Sequence, residues 1–212
     1  SLIQKNGIGD YFHGNLNRIT TLLLANSLGI NTPDFCITSN KNELRSFTKH
    51  YDKVIIRSIN QGLSYTQGEW QYVLYVNLFE RTALDRLPRS FYPTLFMQYI
   101  EKVYEIRSFY LKGKFYSMAI FSQESEQTTI DFRNYDSNRP NRTVPYILPD
   151  YIAQNLHMLM QKLKLDTGSI DLIFSKGCQY FFLEVNPVGQ FGMVSKPCNY
   201  YLELEMAMEI IK

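Results

Sequence analysis

Residues 103–122 read VYEIRSFYL, then Lys112-Gly113, then KFYSMAIFS. Two runs of β-branched and aromatic residues meeting at a turn dipeptide predict an antiparallel hairpin. SIDLIF and QYFFLEVN repeat the pattern around Lys176-Gly177 and predict a second hairpin. A chain with two such hairpins must build an antiparallel sheet and cover it. Helical spacing over 15–28 (Ile19, Leu22, Leu23, Ala25), ending at Gly29, supplies one covering element. A second helix is predicted over 40–49, with Asn40 and Glu43 arranged like a capping box. A third runs over 150–164, with Asp150 as cap and Ile152, Leu156, Leu159 and Leu163 on one face. A last helix covers 200–211. Strands are predicted at 53–59, 70–79 and 94–100. Residues 60–68 read as a glycine-containing loop, and 123–149 as a long polar loop of the kind often used for function. The order predicts an α+β chain with largely antiparallel sheets.

Composition narrows the class. At 212 residues the chain is long enough for one large domain or two modest ones. Aromatic residues reach 15%, mostly Tyr and Phe, which favours strands over a helical bundle. A net charge of +2 is too small to argue for nucleic acid or a membrane surface. No apolar run approaches bilayer-spanning length, and the start has no signal-peptide layout. The first residue is Ser, so a piece of a longer chain is expected. Cys36, Cys178 and Cys198 are far apart and odd in number, which fits neither a disulfide framework nor a zinc site. A reduced, cytoplasmic setting is expected.

The stretch FLEVNPVGQFG, 182–192, carries Glu184 and Asn186 on one strand face before Pro187 and Gly189 break it. A turn at Lys176-Gly177 would pair Asp171 with Phe182, leaving Asp171 and Glu184 as diagonal neighbours roughly 7–8 Å apart. Two carboxylates and an amide oxygen then converge with no Lys or Arg from the same hairpin. Hard oxygen donors at this spacing suit Mg²⁺, and the break after Asn186 would leave room for a ligand. A polar sheet face paired with lysines elsewhere would give the same pattern.

Taken together, these residues resemble an ATP-grasp ligase. The match is Asp171, Glu184 and Asn186 in D-x12-E-x-N-P, preceded by MQYIEKVYEIRSFYLKGKFYSMAIFS. The resemblance implies two α+β lobes. Residues 1–30 would be a helical lead-in from an absent N-terminal domain, 31–100 the small lobe, and 101–212 the large lobe with metal- and peptide-binding elements. Within the family the chain is most similar to the graspetide maturases, the microviridin-type and grasp-with-spasm macrocyclases. The resembling features are YFHGNLNRITTLLLANSLGINTPDFCITSNKNEL, DFRNYD and NPVGQFG. Those enzymes activate a Glu or Asp side chain of a precursor peptide as an acyl phosphate. They then join it to a Ser, Thr or Lys side chain.

The resemblance implies roles for particular residues. Asp171, Glu184 and Asn186 would ligate Mg²⁺ on ATP. Arg57 stands where the family usually has a phosphate-contacting lysine, and a surface arginine is the plain alternative. Gln98, Tyr99, Ile100 and Glu101 occupy the adenine hinge, where Tyr99 and Ile100 also read as core strand. Arg107 would face the transferred phosphoryl group, or else pair with Glu105. Asp131 and Arg133 would meet the precursor peptide, with Arg139 and Arg142 as candidates for the same surface. Gly62 and Gly68 could cover the phosphates. His13, His50 and His157 are scattered, and His157 reads as structural. A homodimer is carried as an expectation. Two other functions stay open: a different ATP-grasp ligase adding an amino acid to a peptide or small molecule, and a non-catalytic, nucleotide-dependent peptide-binding module.

Overall fold

The computed structural model describes residues 8–9, 16–51, 53–59, 64–73, 76–123, 130–131 and 140–211. In chain order the elements are α1 (Arg18–Ser27), β1 (Phe35–Asn40), α2 (Lys41–Thr48), β2 (Val54–Arg57), β3 (Ser64–Gln67), β4 (Trp70–Val73) and β5 (Asn77–Phe79). A 3-10 turn at Arg81–Arg86 precedes β6 (Ser90–Gln98), β7 (Lys102–Leu111), β8 (Lys114–Phe121) and β9 (Arg142–Tyr146). Then come α3 (Asp150–Lys162), β10 (Thr167–Ser175), β11 (Tyr180–Asn186), α4 (Gly192–Cys198) and α5 (Leu202–Ile211). They divide into two compact units. One holds the described residues up to Thr32, Lys102–Ser122, and those from Asn141 onward; the other holds Pro33–Glu101 and the described part of 123–140.

The second unit is a four-stranded antiparallel sheet, β1-β6-β2-β5, with the β3-β4 hairpin beside it in sequence. The predicted loop at 60–68 is therefore strand from Ser64, with Gly68 at φ 62° in the hairpin turn. Leu44, Val54, Phe79, Leu84 and Phe96 form this unit's core. Asn40 caps α2 by accepting from the Asn42 N–H at 2.8 Å, and Thr38 donates to Glu43 at 2.5 Å.

The first unit is a five-stranded antiparallel sheet in the order β11-β10-β7-β8-β9. Both predicted hairpins are present. Lys112 and Gly113 have φ 44° and 96°, which gives the tight β7-β8 turn the twist its strands need. The β10-β11 connection is longer, residues 176–179, so Phe174 pairs with Tyr180. Alternation divides the sheet into two faces. One carries Glu105, Arg107, Phe109 and Leu111 of β7, and the other Ile106, Ser108 and Tyr110. On the first face, Phe109 and Leu111 pack with Leu202 of α5 and with Phe191 and Tyr200. Tyr110 donates to or accepts from His157 of α3 at 2.8 Å, the structural role expected of that histidine.

Three local expectations change. The end of the long polar loop is a strand: β9 pairs along β8, with Pro145 opposite Met118. Its Arg142 lies 5.0 Å above the Phe121 ring. Pro149 precedes α3, so Asp150 is the first helical residue rather than its cap. α4 was hidden by Pro197 inside it, and Ser195 in its middle accepts the Leu202 N–H at 3.0 Å, capping α5. On the far side, the Phe182 N–H donates to the Asn31 carbonyl at 2.8 Å.

Two predictions follow from these contacts. A Cβ at Gly189 would lie 2.4 Å from the Ser169 nitrogen and 2.9 Å from the Gly168 carbonyl carbon, both rigid backbone. G189A should lower the unfolding free energy in urea by about 1–3 kcal/mol. Tyr116 holds α5 by donating to Glu205 at 3.2 Å, and burial with that carboxylate raises its pKa to about 12. A phenol protonated more firmly when folded loses stability as pH rises from its unfolded value near 10 to about 12. Melting curves across that window should show the decline, and Y116F should flatten part of it.

Candidate functional site

The site grows from strand register. Arg107 of β7 lies opposite Asp171 of β10, and Asp171 lies opposite Glu184 of β11. The expected pairing of Asp171 with Phe182 is thus corrected by two residues. The longer turn accounts for one, and a bulge between Asp171 and Leu172, where Leu183 is extra, accounts for the other. A shift of two keeps Glu184 on the predicted face, because side chains alternate with period two. It also turns a diagonal neighbour into a direct cross-strand one. Asn186 follows on the same face, opposite Ser169.

The carboxylates are not left to themselves. Arg107 Nη1 is 3.4 Å from Asp171 Oδ2, with both side chains largely buried. Arg18, in the first turn of α1, places Nη2 2.6 Å from Glu184 Oε2; the side chains are 3% and 15% exposed. Sequence reasoning missed Arg18. Its signal was available: it shares the buried stripe of α1 with Thr21, Leu22 and Ala25, at positions i, i+3, i+4 and i+7. A guanidinium on a buried stripe requires a partner. Glu105 pairs with Lys102 rather than Arg107, and Ser122 Oγ donates to the same Glu105 oxygen at 2.9 Å. Lys102, also missed, is as buried as Arg18.

After β11 the chain folds back against β10. Asn186 Oδ1 accepts the Val188 N–H at 3.1 Å, and Gly189 rests against Ser169. Asn186 is thereby held in place, with its carboxamide oxygen still able to accept a second interaction. Among the described residues no three His, Cys, Asp or Glu side chains gather as a metal cluster. The donor set here is two carboxylates and one carboxamide oxygen on a single face, the hard-oxygen chemistry that Mg²⁺ takes while sharing its remaining positions with phosphate and water.

The other unit holds the remaining candidates. Arg57 ends β2 opposite Leu95 and is buried, which sets aside the surface-arginine alternative. Gln98 ends β6; its N–H donates to the Asp34 carbonyl at 2.8 Å, and its Oε1 accepts from the Asp34 N–H at 3.4 Å. The Tyr99 N–H donates to the Lys53 carbonyl at 3.2 Å. Ile100 is buried. Exposed Glu101 lies 3.7 Å from Lys53 Nζ, which also sits 5.6 Å above the Tyr99 ring. Asp131 is buried rather than solvated, and its Oδ2 accepts the Val76 N–H at 3.4 Å. Arg133, Arg139, Gly62 and His13 lie outside the described residues.

No family model and no curated protein matches the chain. Solved structures do. A RiPP-associated ATP-grasp ligase from Chryseobacterium gregarium, in complex with ADP and a leader and core peptide, superposes with TM-score 0.80 at 27% identity. The match covers 91% of this chain and 57% of that one. The macrocyclase MdnC from Microcystis aeruginosa, bound with its precursor peptide MdnA, gives 0.78 at 26% identity, covering 94% and 62%. The fold is ATP-grasp. A third ligase of this fold, PsnB, complexed with a phosphomimetic minimal precursor, Mg and ADP, gives 0.67 at 14% identity, covering 92% and 58%. This ATP-grasp chain therefore spans less than two thirds of the length of the ligases it matches. Among the described residues no helix is long and apolar enough to cross a membrane.

The Arg107–Asp171 pair can be tested by stability. R107M takes the arginine away from a buried carboxylate. Its urea unfolding free energy should fall by about 3–5 kcal/mol, the cost of breaking a buried pair from one side. D171N combined with R107M should recover part of the loss.

Proposed function

We propose that this chain carries the catalytic part of an ATP-dependent peptide ligase. It would activate a Glu or Asp side-chain carboxylate of a ribosomally made precursor peptide and join it to a Ser, Thr or Lys side chain. The observation that carries the reading is the cross-strand row Arg107–Asp171–Glu184, continued by Asn186. It occurs in a fold shared with ligases crystallised with precursor peptides. In this reading Asp171, Glu184 and Asn186 hold Mg²⁺. When bound, Mg²⁺ neutralises phosphate charge and fixes the phosphates in place.

The chain's own residues do the rest by position and charge. Gln98, Tyr99, Ile100 and Glu101 receive the adenine edge. Arg57 and Arg107 supply fixed positive charge to the phosphates, and Arg107, held by Asp171, meets the charge that develops as the phosphoryl group moves. The substrate carboxylate oxygen bonds to the γ-phosphorus while the bond to ADP breaks. The peptide hydroxyl or amine then attacks the acyl carbon, phosphate leaves, and the nucleophile gives up its proton. Asp131 and Arg133 are assigned to the precursor peptide; Asp131, buried on the Val76 N–H, would shape that surface from beneath.

The test is calorimetric titration of the chain with AMPPNP, with and without Mg²⁺. Binding should depend on Mg²⁺, and E184Q should weaken it at least about tenfold, the loss of one charged ligand. Mg²⁺-dependent binding that is unchanged in E184Q would falsify the metal assignment.

A further inference from the structure

Arg18 enters the candidate site from a helix at the other end of the chain, 166 residues away from Glu184 in sequence. Its guanidinium is more buried than the carboxylate it meets. Along the same row Asp171 has Arg107. Arg18 thus already holds an oxygen of Glu184 that a divalent cation would take. Like charges at this range repel, so the Arg18 and Arg107 guanidiniums oppose a cation that arrives alone more than one that arrives with the negative charge of phosphate.

We propose that Arg18 is a positioning residue that makes metal binding depend on nucleotide. Without a cation it holds the Glu184 carboxylate on the sheet face. It shares or yields that carboxylate when Mg²⁺ enters with the phosphates, and it disfavours Mg²⁺ entering alone. This inference rests on the reading of Glu184 as a metal ligand. It assigns Arg18 a role in the order of binding, distinct from any contact with the reacting atoms.

The experiment compares wild type, R18K, R18M and R18M/E184Q by thermal unfolding with and without MgCl2. Wild type, R18K and R18M are also titrated calorimetrically with MgCl2 alone and with AMPPNP plus MgCl2. R18M should lower the melting temperature in the absence of Mg²⁺ by roughly 6–20 °C. MgCl2 should restore part of that loss and leave wild type nearly unchanged. R18M should bind Mg²⁺ alone about tenfold or more tightly than wild type, since one positive charge has left the row. R18K should stay near wild type in both. R18M/E184Q should regain stability, because the carboxylate that lost its arginine is gone. If R18M does not fold, the double variant decides: recovery supports the pairing, and equal instability overturns it. Wild-type binding of Mg²⁺ with AMPPNP, together with an R18M that responds to MgCl2 as wild type does, overturns this inference alone. No Mg²⁺-dependent AMPPNP binding in wild type overturns the metal reading and this inference with it.

Discussion

Burying an ion costs several kcal/mol unless an opposite charge is placed against it. One face of the five-stranded sheet carries Arg107, Asp171 and Glu184, and α1 brings Arg18 to it, so that the charges meet in pairs, Arg107 with Asp171 and Arg18 with Glu184. Much of the first unit answers to that condition. β7 must neighbour β10, or Asp171 loses Arg107. α1 must present its first turn to β11, or Glu184 loses Arg18. A one-residue slip of β10 would carry Asp171 to the opposite face, where Ile170 and Leu172 now sit fully buried. Register and charge pairing therefore specify each other.

The face that bears this row is graded along β7. Lys102 and Glu105 pair at one end, Arg107 comes next, and Phe109 and Leu111 lie under Leu202 at the other. The apolar end is closed by α4, α5 and the Tyr116–Glu205 contact. The charged end is thereby held by rigid strands rather than by loops. This is the arrangement phosphoryl-transfer chemistry asks of a protein, since catalysis there depends on positioned charge.

Local pattern made most elements legible. Turn dipeptides at Lys112-Gly113 and Lys176-Gly177 announced both hairpins, and helical spacing announced α1, α2, α3 and α5. Prolines concealed β9 and α4, because Pro145 argues against a strand and Pro197 against a helix. Both are tolerated where they fall, in an outermost strand and in the last turn of a short helix. The convergence of Asp171, Glu184 and Asn186 on one face was readable from alternation. Their register was not, because turn length and a bulge lie below what a dipeptide can tell. Arg18 shows the deeper limit. Its burial was hinted at by the α1 stripe, but its partner is set by tertiary packing. Asp131 is similar: a polar neighbourhood reads as solvated loop, and the Val76 amide that buries it is distant in sequence.

An antiparallel sheet of five strands has two borders, each a row of backbone groups able to recruit a strand from another molecule. Here both borders are interrupted. On β11 the Phe182 amide is occupied by the Asn31 carbonyl, and on β9 Pro145 brings no N–H at all. The proline that obscured β9 in the sequence thus removes one donor from the sheet's outer rim. The rim is thereby poorly suited to zipping onto other chains, and aggregation through it is discouraged.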